Sequence, residues 1–368
     1  MIEKWTDLSE ILAYKHIHSS TPTRLHCGGS TDHRLTALLC RAWQPVTANI
    51  AIELRAHVRL RPYTNGKVAI DIQGVGKREF TAPALPLTGP FALVSAVVCY
   101  FGVHGLHIGI KTDFPYQSGL GGSGAVAVAL IGAIYTALNE ELPSVEHFPS
   151  MVNVAHNLED SLFRNTGMQD QAAAIYGGVN LWEWKYADRL DFTRQPIMTD
   201  VSVFHDHILL AYTGRPHETT QNGSQMVARF KDTGAIKVLV SISEQARAFA
   251  ALIERREFRS AGRALAAEYN LRSTLLPVTS PDDLALIEMA LVSNCGASIT
   301  GHSGGGCIWA LGEKGDIAVL RKRWTRSFEQ RGTGFILPVS VAAAGLQIAR
   351  TPSQPAVVSM ISSIRSIE

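Results

Sequence analysis

Apolar residues recur with three distinct periods along this chain, and the changes of period mark its elements. From Ala48 to Leu60 apolar and charged residues alternate, the period-two signature of a half-buried strand. Lys67 to Ile72 repeats that alternation after the turn Tyr63-Thr64-Asn65-Gly66, which predicts a hairpin. Phe91 to Tyr100 is apolar throughout and reads as a buried helix, and Gly105 to Thr112 reads as another strand. Residues 1 to 20 are polar and contain His, and read as a short helix or an arm.

The chain then meets Pro115-Tyr116-Gln117-Ser118-Gly119-Leu120-Gly121-Gly122-Ser123-Gly124-Ala125, followed at once by an apolar helical run through Ala137. A strand, a glycine loop and a helix in that order make a phosphate cradle. Glycines let the backbone turn tightly and approach an anion, and the helix aims unpaired N–H groups and its positive dipole end at the same point. The loop lacks the Lys-Ser/Thr pair of a P-loop and the spacing of a dinucleotide-binding turn. A plain glycine turn before a core helix is the competing reading.

Further on, helices are predicted at Val145 to Arg164, 222 to 270, 281 to 294 and 315 to 330, with strands near 201 to 213 and 334 to 348. A short helix opens at Gly167-Met168-Gln169-Asp170-Gln171 and ends at Gly177-Gly178. A second glycine cluster, Gly301-His302-Ser303-Gly304-Gly305-Gly306, follows the strand-like Ala297 to Thr300. The stretch from Thr351 to Glu368, with two prolines, reads as a loosely docked tail.

Length and composition bound the function. At 368 residues one core is outgrown, so two lobes are expected, divided at 1–200 and 201–368. A net charge of +2 argues against nucleic acid as the main partner, and 46% hydrophobic residues argue against disorder. Five cysteines without a C-x-x-C pair fit neither a disulfide framework nor a zinc site. The N-terminus lacks the signature of an export signal, and no run reaches the eighteen uninterrupted apolar residues of a membrane span. A cytoplasmic protein with no membrane association is the expectation.

Four segments now combine. Arg24 and Asp32 bracket the turn Cys27-Gly28-Gly29-Ser30-Thr31; the phosphate loop comes next; Glu159 and Gly167 to Gln171 follow; the cluster at 301 to 306 is last. In order and spelling they resemble the GHMP small-molecule kinases, from about Thr21 to about Ala349. Within that superfamily, Gly28 to Asp32 and Gly167 to Gly178 are similar to the turns of bacterial heptose 7-phosphate kinases. Two departures stand out: Gly122-Ser123 replaces a Ser-Ser pair, and His302-Ser303 interrupts the second glycine run.

The resemblance implies an α+β fold with a ribosomal-protein-S5-like N-terminal lobe and a ferredoxin-like C-terminal lobe, the active site lying in the cleft between. It implies ATP and Mg²⁺ as cofactors and a sugar or sugar phosphate as partner, phosphorylated at its anomeric hydroxyl on the way to nucleotide sugars for surface polysaccharide. A homodimer is among the assemblies it allows. By resemblance, Asp170 is the general base and Arg24 its catalytic partner. Ser123 and Glu159 hold the metal. Gly119, Leu120, Gly121, Gly122, Ser123, Gly124, Gly304 and Gly305 line the nucleotide. Gly29, Ser30, Asp32, Thr213 and Arg215 face the substrate.

Phosphoryl transfer suits such a set, because it needs positioning and charge neutralisation more than covalent help. Each residue also has a plainer use. Asp170 could cap a helix, Glu159 could sit on a solvated face, and Asp32 could close its own turn. Arg34, Arg41, Lys111, Arg164 and Arg215 are the cations available to a second substrate phosphate. A kinase for a free sugar and a non-catalytic sugar sensor are the rival functions.

Overall fold

The computed structural model describes residues 5–164, 166–186, 190–198, 200–217, 233–276, 280–301 and 305–352. The first part of the chain runs β1 (Thr6–Asp7), α1 (Ser9–Tyr14), β2 (Lys15–Cys27), α2 (Arg34–Leu39), β3 (Val46–Pro62), β4 (Lys67–Ile72), β5 (Gly76–Thr81), α3 (Ala92–Phe101), β6 (Val103–His104) and β7 (Leu106–Thr112). It continues through α4 (Gly122–Asn139), α5 (Phe148–Phe163), α6 (Gln169–Tyr176), β8 (Val179–Tyr186) and β9 (Leu190–Met198). The remainder is β10 (Ile208–Tyr212), α7 (Thr233–Glu254), α8 (Phe258–Leu275), α9 (Pro281–Leu291), β11 (Gly296–Ile299), β12 (Cys307–Leu311), α10 (Lys314–Arg331), β13 (Phe335–Leu337) and β14 (Gln347–Pro352).

The large sheet has the order β14-β2-β3-β7-β4-β5, with β8 and β9 added beside the first half of β3. The second sheet, β11-β12-β10-β13, is antiparallel throughout. Counted within that half, its strands follow the 4-1-3-2 order of a ferredoxin-like split βαβ unit. The expected α+β architecture is the observed one.

Three sequence expectations change. The predicted β3–β4 hairpin does not form, because β7 lies between the two strands, antiparallel to β3 and parallel to β4. The turn after β3 instead skirts the start of β7, where Tyr63 N–H donates to Gly105 O at 2.9 Å and Gly105 N–H donates to Lys67 O at 2.8 Å. The hairpin partner of β4 is β5. The strand expected near 334 to 348 is two short strands in different sheets, β13 and β14. Between them the backbone binds the first sheet through Ala342 N–H to Ala51 O at 2.8 Å and Gly178 N–H to Ala342 O at 2.7 Å. Residues 15 to 20, expected to be part of a short helix or arm, open the thirteen-residue strand β2, which runs on through Cys27.

β2 hides its nature because its inward positions carry hydroxyls. Ser19 Oγ donates to Ala129 O at 2.6 Å and Thr21 Oγ1 to Ala125 O at 2.7 Å, so the strand satisfies carbonyls of α4 where an apolar strand would bury methyl groups. Pro22, which cannot donate to a ladder, sits where the β2–β3 register slips, and the bulge re-aims the strand just before Arg24.

Helix α4 is the keel of the first lobe. It is long and apolar enough to cross a membrane by length and composition, yet 67% of it is buried in the fold, as a core helix is. Val128, Leu130, Ile131 and Ile134 join the core of α3, β3 and β7, each worth about 1.5–3 kcal/mol of burial. Its N-terminus is thereby fixed below the phosphate loop.

Candidate active site

Gly119 to Gly124 lie at the start of α4, and Gly121 at its N-cap has φ +79° with no side chain capping the helix. The first-turn N–H groups therefore stay free to meet an anion. The glycines also do something the sequence did not suggest. A Cβ on Gly121 would lie 2.8–3.1 Å from the carboxylate of Asp170, and one on Gly124 would lie 2.9 Å from Asp170 Cβ. They bring α6 against the phosphate loop. Leu120 is buried, its carbonyl accepting from Arg24 N–H at 3.1 Å.

Asp170 sits in the first turn of α6 and is not its cap, because the N-cap position is Met168. Arg24 Nε donates to Asp170 Oδ1 at 2.7 Å, while Arg24 Nη1 donates to Gly119 O at 2.7 Å and Thr300 O at 2.9 Å. One guanidinium thus touches the acidic residue, the phosphate loop and the approach to the second glycine cluster. The Asp170 side chain keeps 22% of its surface exposed, whereas that of Arg24 keeps 5%.

Glu159, on α5, is buried beside this group rather than on a solvated face. Its carboxylate accepts from Gln171 Nε2 and from the hydroxyl of the exposed Ser123. Burial pushes the Glu159 carboxyl up to about 7; the hydrogen bond from Ser123 opposes that push and the charge of Asp170 adds to it. A carboxylate in such a place gains from a cation. A hydroxyl and a carboxylate, both hard oxygen donors, fit Mg²⁺, which takes few protein ligands and keeps its waters. Among the described residues no three His, Cys, Asp or Glu side chains cluster as a metal cage.

Asp32 is 1% exposed beneath the start of α6. Its Oδ2 accepts from Gln169 N–H at 3.1 Å and its backbone carbonyl from Met168 N–H at 3.3 Å. The residue expected to touch sugar, or to close its own turn, caps the helix that carries Asp170, from 137 positions away. Its Oδ1 is buried without a hydrogen-bond partner. Gly29 packs on the His26 ring, and Ser30, with φ +76°, is buried in the same turn.

On the other lobe, Thr213 N–H donates to Gly306 O at 2.9 Å, and Gly306 N–H to Arg215 O at 2.7 Å. Arg215 Nη2 lies 2.7 Å from Asp283 Oδ1, and the fully buried Asp283 also accepts from Gly305 N–H at 3.0 Å. The Arg215 side chain is engaged within the protein. Gly304, His302 and Ser303 lie outside the described residues. The two glycine segments meet: Cys307 N–H donates to Ser118 O at 2.8 Å and Thr300 Oγ1 to the same oxygen at 3.2 Å. Cys27 and Cys307 are buried packing residues whose thiols burial pushes up.

Sequence reasoning missed Thr300, Gln171, Asp283, Glu268 and Arg272. Gln171 had a legible signal, its place in Gln-Asp-Gln. Glu268 and Arg272 had another, their i,i+4 spacing, whereas Thr300 and Asp283 had none, since their meaning rests on contacts between segments far apart in sequence.

A phosphate loop at a helix N-terminus with an acid–arginine pair against it suits a small-molecule phosphotransferase. Residues 91–178 match the GHMP kinases N terminal domain. The chain is 25% identical over 291 residues to the D-glycero-alpha-D-manno-heptose 7-phosphate kinase of Campylobacter jejuni, covering 76% of this chain and 84% of that one. Its fold is similar to a D-glycero-D-manno-heptose 1-phosphate kinase from Bacteroides thetaiotaomicron, with TM-score 0.68, 19% identity, and coverage of 92% of this chain and 100% of the other. Lactococcus lactis galactokinase, complexed with galactose, superposes with TM-score 0.71 at 17% identity, covering 92% and 97%. The chain is accordingly an enzyme of the sugar-kinase kind, and the non-catalytic sensor is set aside.

Proposed function

We propose that the protein transfers the γ-phosphoryl group of ATP to the anomeric hydroxyl of a heptose 7-phosphate. The observation that carries this reading is the contact of Arg24 with Asp170 at 2.7 Å, pressed against Gly121 of the phosphate loop. Asp170, partly exposed, accepts the proton of the attacking hydroxyl. Arg24 orients that carboxylate and offers charge toward the transferred group. Ser123 and Glu159 would hold Mg²⁺, which would neutralise the charge that develops on the phosphate oxygens. Gly119 to Gly124 and Gly305 line the nucleotide. Asp32 steadies α6 through Oδ2 beneath the acceptor's surroundings, in which Gly29, Ser30 and Thr213 take part.

The likeness of Gly28–Asp32 and Gly167–Gly178 to the heptose phosphate kinases supports a phosphorylated acceptor. A kinase for a free sugar is the second reading, favoured by the engagement of Arg215 with Asp283, which removes one cation from a second phosphate. Arg34, half-exposed and paired with Asp160 at a longer 3.5 Å, is the more loosely held candidate for that phosphate. ATP consumption measured over free and phosphorylated hexoses and heptoses tests both. A heptose 7-phosphate with the highest kcat/KM supports the first reading; equal kcat/KM for heptose and its 7-phosphate replaces it with the second.

A further inference from the structure

Thr300 and Gly301 lead into the rest of the second glycine cluster, and two buried arginines donate to their consecutive carbonyls. Arg24 Nη1, from the first lobe, donates to Thr300 O at 2.9 Å. Arg272 Nη1, from α8, donates to Gly301 O at 2.9 Å. Arg272 is itself held by Glu268, one helical turn earlier, through Nε to Oε1 at 2.8 Å, and its Nη2 donates to Ser298 Oγ at 2.7 Å.

The Arg272–Glu268 pair is 2% and 0% exposed. Burying two charges strips both of their hydration, and apolar residues of similar volume often serve stability as well or better. Helix α8, which carries the pair, packs through Ala261, Ala264 and Leu265 into one core cluster with Leu25 and Cys27 of β2, so the pair stands where the two lobes meet. Stability alone is a weak reason for an ion pair there.

We infer that Arg272, fixed by Glu268, is a positioning residue for the reacting pair, an inference that rests on the reading of Arg24 and Asp170 given above. Arg24 has three fixed partners: Asp170, Gly119 O and Thr300 O. By pinning Gly301, Arg272 fixes the adjoining Thr300 carbonyl where Arg24 reaches it without leaving Asp170. If the 300–301 peptide drifts, Arg24 loses a partner and the angle at which it presents Asp170 relaxes. The pair touches neither hydroxyl nor phosphate in this scheme; it acts through Arg24.

Such a role is separable from folding. In the double variant Arg272→Met/Glu268→Leu the buried charges leave together, so the fold is kept while the Gly301 contact is lost. Its kcat is expected to fall at least about tenfold, the scale on which misplacement of reacting groups is felt, with KM for the acceptor nearly unchanged. Arg272→Lys, which retains the charge but not the fork that spans Glu268, Ser298 and Gly301, is expected to lower kcat in the same direction by a smaller factor. Wild-type kcat in either folded variant overturns the inference. Failure of both variants to fold assigns the pair to stability alone and overturns it as well. A wild-type enzyme inactive on every sugar and sugar phosphate brings down the functional reading, and this inference with it. An active wild type with equally active variants brings down the inference alone.

Discussion

Arg24 reaches Asp170 across 146 positions of sequence, its Nε 2.7 Å from Oδ1, and spends Nη1 on the backbone of two different loops. The carboxylate is thus held by a group that cannot lose its charge and cannot easily swing away. Asp170→Asn keeps the size and the helix, so the fold and nucleotide binding are expected to survive while kcat falls about 10²-fold or more, the usual scale for a general base. Steady-state kinetics beside a nucleotide-binding titration checks it, and near-normal kcat removes Asp170 from the chemistry.

Glu159 carries a pH signature. Its folded-state carboxyl is raised to about 7 by burial, so between the ordinary glutamate range and 7 the folded protein binds more protons than the unfolded chain. Stability without metal is therefore expected to fall as pH rises through that window, by at most about 3 kcal/mol from this group. Glu159→Gln should flatten that part of the profile, and equal slopes for the two proteins in denaturant titrations at several pH values would discard the assignment.

The same carboxylate must be ionised to hold a cation. Apparent Mg²⁺ affinity in the wild type is expected to rise as pH increases toward and through 7, and Glu159→Gln to raise the Mg²⁺ concentration needed for half-maximal rate. An unchanged Mg²⁺ titration in the variant would take Glu159 out of the metal site.

Gly121 has two reasons to be glycine, its φ of +79° and the Asp170 carboxylate 2.8–3.1 Å from where a Cβ would stand. Gly121→Ala is expected to cost about 1–3 kcal/mol of strain and to depress kcat, since the displaced group is the proposed base. Thermal melts and kinetics together decide: a wild-type melting point with wild-type kcat would show that the loop yields at no expense.

Asp32→Ala removes a helix cap made from outside the helix. A loss of about 1–2 kcal/mol is expected from the orphaned Gln169 N–H, with a fall in kcat because the freed helix end carries Asp170. An unaltered melting temperature with a raised acceptor KM would make Asp32 a sugar ligand first and a cap second.

What could be read from sequence was whatever is written in local chemistry. The glycine loop before α4 declared a helix N-terminus with free donors, because glycine spacing and the apolar run that follows are adjacent in the chain. Gln169-Asp170-Gln171 and Arg24 could be picked out by resemblance, and the alternation in β3 and the apolar run of α3 were plain in their periods. β2 escaped, because its inward hydroxyls bond α4 carbonyls and so erase the apolar alternation. The β3–β4 hairpin was misread, because a turn records only that the chain reverses and not that β7 slips between the strands.

Tertiary structure alone decided which charges are free and which are spent. Arg215 reads as a free cation in sequence and is tied to Asp283 in the fold; Asp32 reads as the end of a turn and caps a helix 137 residues away; Arg272 lies just past the helix predicted to end at 270 and is buried against Glu268 and Gly301. The physical reason is common to all three. A side chain's charge and hydrogen-bonding capacity are set by its covalent structure, but the partner that satisfies them, and the dielectric in which they meet, are supplied by the folding of each lobe around it.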